Sequence, residues 1–173
     1  MEFSGTVAAP SRGHGQEAAA DAATGVLAGT EILTLSGAMP VEYLSPGDRI
    51  ITREGARVLR ALRVRHAGRL PLVRIAAGAL GHDRPEAGLD LPADQPVLLR
   101  DWRARVMFGT DRAVLPVRRL IDGEFVRPVA GRDLRVFTLA FDAPQVVYAE
   151  GMELPCPAVG ATADEARPDA APA

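Results

Sequence analysis

Lysine is absent from this 173-residue chain: all 20 of its basic side chains are arginine, set against 22 acids for a formal charge of −2. So even a balance gives no basis for an electrostatic grip on nucleic acid or an anionic lipid surface, so neither is an expected partner. The arginine-only usage, beside abundant alanine, glycine and proline, reads as a GC-rich coding bias rather than a binding feature. Cysteine occurs once, as Cys156, which excludes an internal disulfide and a cysteine-based zinc cluster. The three histidines, His14, His66 and His82, have no metal-pair spacing, and neither an EF-hand loop nor a glycine-rich calcium repeat is present. No metal and no cofactor is expected. No apolar run reaches the roughly 18 residues that cross a bilayer, so membrane insertion is not expected. Residues 1–24 lack the basic start, apolar core and cleavage context of a secretory signal, leaving the compartment open.

What is present fits one domain with a single core. Its organising stretch is residues 29–52, which begin Gly-Thr, run through a short β-type segment from Glu31 to Leu35, turn at Ser36-Gly37, and return from Met39 to Tyr43. Pro40 suits an edge position. Pro46 presets φ for a turn and Gly47 supplies a positive φ, so the chain reverses before Arg49 to Thr52 leaves as another strand. Asp48, just after that corner, is expected to bond nearby backbone amides.

This layout of Gly-Thr, strand, turn, Pro-Val-Glu-x-Leu, Gly-Asp and an Ile-Ile-Thr strand resembles the opening of a Hint (hedgehog/intein) domain of the bacterial branch. Further matches extend the resemblance over roughly residues 24–160. Val114 to Gly123 is similar to the family's Val-Pro-Ala-x-x-Leu-x-x-Gly segment, and Ala149-Glu150-Gly151 to its closing signature. The resemblance implies an all-β, compact, disc-like fold of short strands and hairpins. It places a Hint-like domain over 25–160, while composition alone gives a flexible Ala-rich lead-in over 1–24 and a Pro-, Ala- and acid-rich disordered tail over 161–173. Active members cut or splice their own backbone with an N-terminal Cys or Ser, assisted by the histidine of a Ser/Thr-Pro-x-His motif. Here Gly25 stands at the nucleophile position, Gln95 at the motif histidine and Pro144 at a later histidine. Glycine offers no nucleophile, and an amide cannot exchange a proton near neutral pH.

Outside that frame, Arg57 to His66 and Leu70 to Ala76 alternate as extended segments around Gly68 and read as a second hairpin. Residues 77–88 read as a surface loop, and Val106 to Leu120 as strands broken by turns. Arg135 to Phe141 is the cleanest strand, with Phe137 and Phe141 expected in the core. Trp102, flanked by Arg100 and Arg103, is expected half-buried against the sheet and is the residue most suited to anchor a protein partner.

Three functions are compatible with these features. A Hint-like domain that has lost self-cleavage and acts as a structural or protein-binding module fits Gly25 and Gln95 best. A self-processing module would need an unusual nucleophile such as Thr24, a poor one without a neighbouring base. The third is an unrelated small β-domain, which the meeting of the two chain ends at one site would argue against.

Overall fold

The computed structural model describes residues 24–161. The expected lead-in over 1–24, apart from Thr24, and the expected tail beyond 161 lie outside the described residues, as does His14.

The hairpin of the opening stretch forms from β2 (Glu31–Thr34) and β3 (Gly37–Pro40), and β4 (Arg49–Thr52) then pairs with β5 (Gly55–Val58). In β2 and β4 alternate residues are buried, Ile32 with Thr34 and Ile50 with Thr52, as a strand with one wet face requires. One device closes both hairpins. Thr34 Oγ1 donates to Gly37 O at 2.7 Å and accepts from Ser36 N, while Thr52 Oγ1 donates to Gly55 O at 2.8 Å and accepts from Glu54 N. Between the hairpins, Val41–Tyr43 tightens into a 3-10 turn, so the second extended piece stops at Pro40, earlier than expected. Asp48 Oδ2 accepts from Ser45 N at 2.8 Å and holds the Pro46-Gly47 corner.

The expected second hairpin does not exist. Instead β6 (Ala61–Ile75) is one 15-residue strand, laddered antiparallel to the equally long β10 (Val126–Ala140). Gly68 does not turn the chain because every flanking residue already has a partner on β10, from Ala67 opposite Leu134 to Arg69 opposite Arg132. β1 (Val26–Leu27) lies on the far side of β10 and β7 (Leu89–Pro92) on the far side of β6, giving the order β1-β10-β6-β7. The second sheet runs β12-β11-β2-β4-β5, with β3 beside β2; β11 spans Gln145–Ala149 and β12 spans Met152–Cys156. A ribbon of β8 (Pro96–Leu99) and β9 (Ala113–Pro116) completes the module.

One helix interrupts the strands. Where a turn and then, from Val106, strands were expected, α1 (Trp102–Phe108) forms because Asp101 caps it, accepting from Arg103 N at 2.9 Å, and Gly109 ends it at φ 68°. The sheets enclose a core in which Ile32, Ile50, Leu59, Ile75, Leu91 and Leu154 are fully buried, joined by Phe137 and Phe141. The fold is thus all-β apart from this helix and two 3-10 turns. Among the described residues no helix is long and apolar enough to cross a membrane.

Candidate functional site

Gly25 and Gln95, 70 positions apart in sequence, meet. Gly25 N donates to Gln95 Oε1 at 2.6 Å, in a buried bond at the bond joining Thr24 to Gly25. Two local features set this up. β1 lies against β10 with Val26 opposite Phe137 and Leu27 opposite Val136, which brings the preceding peptide to the end of the sheet. Gln95 sits in the tight link between β7 and β8, where its backbone N bonds Pro92 O and its own carbonyl accepts from Val117 N, both at 2.9 Å. The residue is only 4% exposed and its Nε2 donates to Pro96 O at 2.9 Å. The amide orientation is fixed by this arrangement, since turning it over would set two donors face to face.

The backbone at Gly25 leaves no room for a side chain. Its φ is +128°, and a Cβ there would stand 2.6 Å from Phe137 O and 2.8 Å from Val136 Cγ1. On the other side of the same bond, Thr138 Oγ1 donates to Thr24 O at 3.4 Å. Sequence reasoning missed Thr138, which gives no signal of its own; the register of β10 brings it there.

These groups open into a cavity of about 580 Å³, walled by Phe137, Leu139, Pro144, Val147, Leu154 and Cys156, with Thr24, Gly25, Gln95 and Ala161 also at its surface. The first and last described residues therefore come to one place. Cys156 is half-buried, and its thiol donates weakly to Leu154 O at 3.8 Å. Burial pushes that thiol up to about 12, so it stays protonated at neutral pH. Of the side chains lining the cavity, Cys156 is the only one with a titratable group. Among the described residues no group of three His, Cys, Asp or Glu side chains could hold a metal ion.

Acyl shift at a backbone bond needs a nucleophile beside the carbonyl, a proton donor facing the peptide nitrogen, and donors on the developing oxyanion. Only the last has a counterpart here, in the long contact from Thr138. At the nitrogen Gln95 presents an acceptor, which ties down the N–H instead of delivering a second proton. Thr24 lines the cavity with no base beside it among the described side chains.

Trp102 is not half-buried as expected. As the first residue of α1 it is 67% exposed, with Val106 one turn on at 73% and the Arg103 guanidinium 5.1 Å from the indole centre. Expected in a turn against the sheet, Trp102 instead opens a helix and faces outward.

The fold is similar to a bacterial intein-like domain from Clostridium thermocellum, known from its solution structure, with a TM-score of 0.53 and 16% identity over 78% of this chain and 98% of that one. It is also similar to a variant of the gp41-1 intein, with a TM-score of 0.50 and 10% identity over 75% of this chain and 98% of that one. At such identities the likeness concerns the fold alone, and the class it defines is the intein-like one. The model of the Hint domain matches residues 24–155, and the chain belongs to the Hint domain family. No curated protein sequence matches it.

Proposed function

We propose that this domain keeps the Hint fold, has lost self-cleavage, and acts as a structural or protein-binding module. One observation carries the reading: the Gly25 N–H is capped by the Gln95 carbonyl oxygen at a point where no side chain fits. A peptide bond so held lacks both an attacking group and a proton donor for its nitrogen, and the thiol of Cys156, kept protonated by burial, is a weak nucleophile at neutral pH. On the binding side, the exposed Trp102 and Val106 offer an aromatic and an aliphatic anchor one helical turn apart.

The test is the intact mass of the full-length protein, followed for a day at neutral pH with and without a strong thiol or hydroxylamine. An unchanged mass in both is expected. Fragments ending near Gly25 would sink the reading, and their loss in Thr24→Ala would assign the chemistry to that hydroxyl.

A further inference from the structure

The cavity beside the Thr24–Gly25 bond differs in kind from other hollows of the surface. Three of similar size lie beside Arg74 and Asp90, beside Arg53 and Arg112, and beside Glu31 and Arg84, and charged side chains line each of them. The cavity of about 580 Å³ has none. Buried core residues such as Leu139 and Leu154 form part of its wall, and Phe137 with four prolines, Pro96, Pro144, Pro155 and Pro157, forms much of the rest. Arg135, whose guanidinium lies 5.8 Å from the centre of the Phe137 ring, is not among the lining side chains. Pro144 is exposed, so the space opens to solvent beside it.

A space walled in this way selects by charge first. An ion entering it leaves water and meets no guanidinium or carboxylate to pair with. It selects next by shape, since flat aromatic faces pack well against proline and phenylalanine rings, and the sulfur of Cys156 suits a ring edge. Size sets the number of rings. An apolar cavity of roughly 150 Å³ takes up one benzene, so about 580 Å³ has room for two or three rings. One end is polar yet neutral. Gln95 Nε2 gives one hydrogen to Pro96 O and has a second with no partner among the described residues, while Thr138 Oγ1, which donates to Thr24 O at 3.4 Å, keeps lone pairs to offer.

We propose that this cavity binds a small uncharged aromatic molecule of two or three rings with one neutral hydrogen-bonding group. The rings lie among the prolines and Phe137, and the polar group meets Gln95 or Thr138. An apolar pocket with a few convergent polar groups is the form that small-molecule sites commonly take. The alternative occupants are an aliphatic molecule and the chain's own residues before Thr24 or after Ala161, and the experiment separates them. The proposal goes beyond the structural or protein-binding reading and rests on it only in needing the Thr24–Gly25 bond intact.

The probe is N-phenyl-1-naphthylamine, an uncharged three-ring dye whose fluorescence rises on leaving water, titrated onto the full-length protein. Saturable binding of one dye per chain is expected, with amide shift changes in NMR spectra centred on Phe137, Thr138 and Val147. Naphthol should displace the dye, whereas its charged counterpart naphthoate and the aliphatic decanol should not. Ala158 lines the cavity, and Ala158→Trp should lower affinity about tenfold or more by filling it. The milder Ala158→Leu, checked for an unchanged melting temperature, should show the same trend. No saturable binding to the full chain, the result that a space filled by the chain's own residues gives, would overturn the proposal. So would displacement by naphthoate or decanol as readily as by naphthol, shift changes centred elsewhere, or unchanged affinity in the folded variants. Intact mass on the same sample separates this failure from that of the parent reading: an uncleaved protein that ignores the dye refutes only the ligand.

Discussion

Gly25 is constrained twice, by its φ of +128° and by the carbonyl of Phe137 behind it. Gly25→Ala should therefore cost at least about 2 kcal/mol in urea denaturation, well above the effect of an ordinary surface change. The same collision means that Gly25→Cys, even combined with Gln95→His, must push β1 off β10 before any chemistry can begin. Cys156 supplies a second expectation. With its folded-state value raised to about 12 by burial, alkylation at pH 8 should run on the order of a thousand-fold slower than that of a free thiol and still be climbing about tenfold per pH unit at pH 10. Because the folded value lies above the unfolded one, the burial of Cys156 stabilises the domain fully below the ordinary thiol range. That contribution is lost as the pH rises toward 12, and a stability profile compared with Cys156→Ala reads it directly. Gly25 and Gln95 were legible in the sequence as candidate positions because each lies beside a recognisable strand. The bond between them was not, and neither was the Thr138 contact, for both depend on how distant strands pair.

At the scale of elements, the clearest readings came where turn chemistry and alternation agreed. Arg49 to Thr52 stands as expected, and the strand expected over Glu31 to Leu35 forms but ends one residue sooner, at Thr34, with the turn on Leu35-Ser36 and Gly37 opening the return strand, since glycine, proline and a buried threonine mark these limits. Two readings failed for opposite reasons. Gly68 carries a turn signal, but β10 supplies a partner on both sides of it, and ladder bonds outweigh local propensity. α1 was hidden because seven residues are too few for a clear helical period, although Asp101 and Gly109 bracket it as caps. The cap can be tested. Asp101→Ala should lower stability by about 1 kcal/mol, measured by thermal unfolding, since it frees the Arg103 N–H and breaks the ion pair to the Arg103 guanidinium.

For the whole molecule, the all-β class and the meeting of the first and last described residues followed from the family resemblance, while the layering did not. Glu153 shows why. It lies in β12 with its side chain only 2% exposed, one oxygen bonded to Arg100 Nε at 2.8 Å and the other without a hydrogen bond, 3.9 Å from Arg53 Nε. Nothing in a Met-Glu-Leu-Pro run announces an acid inside; two sheets must first close over it. The β6–β10 ladder carries a consequence for time rather than for shape. Its nearest partners, Ile75 and Val126, are separated by the stretch that contains β7, β8, α1 and β9, so closing that loop costs on the order of 3–4 kcal/mol of chain entropy before the first rung forms. Refolding from urea should accordingly fall in the millisecond-to-second range typical of non-local β topologies, as stopped-flow fluorescence would show. Until that ladder zips, β6, with four arginines and no acid, has no neighbour on either side, and the mutual repulsion of those charges then disfavours the pairing of one half-made chain with another.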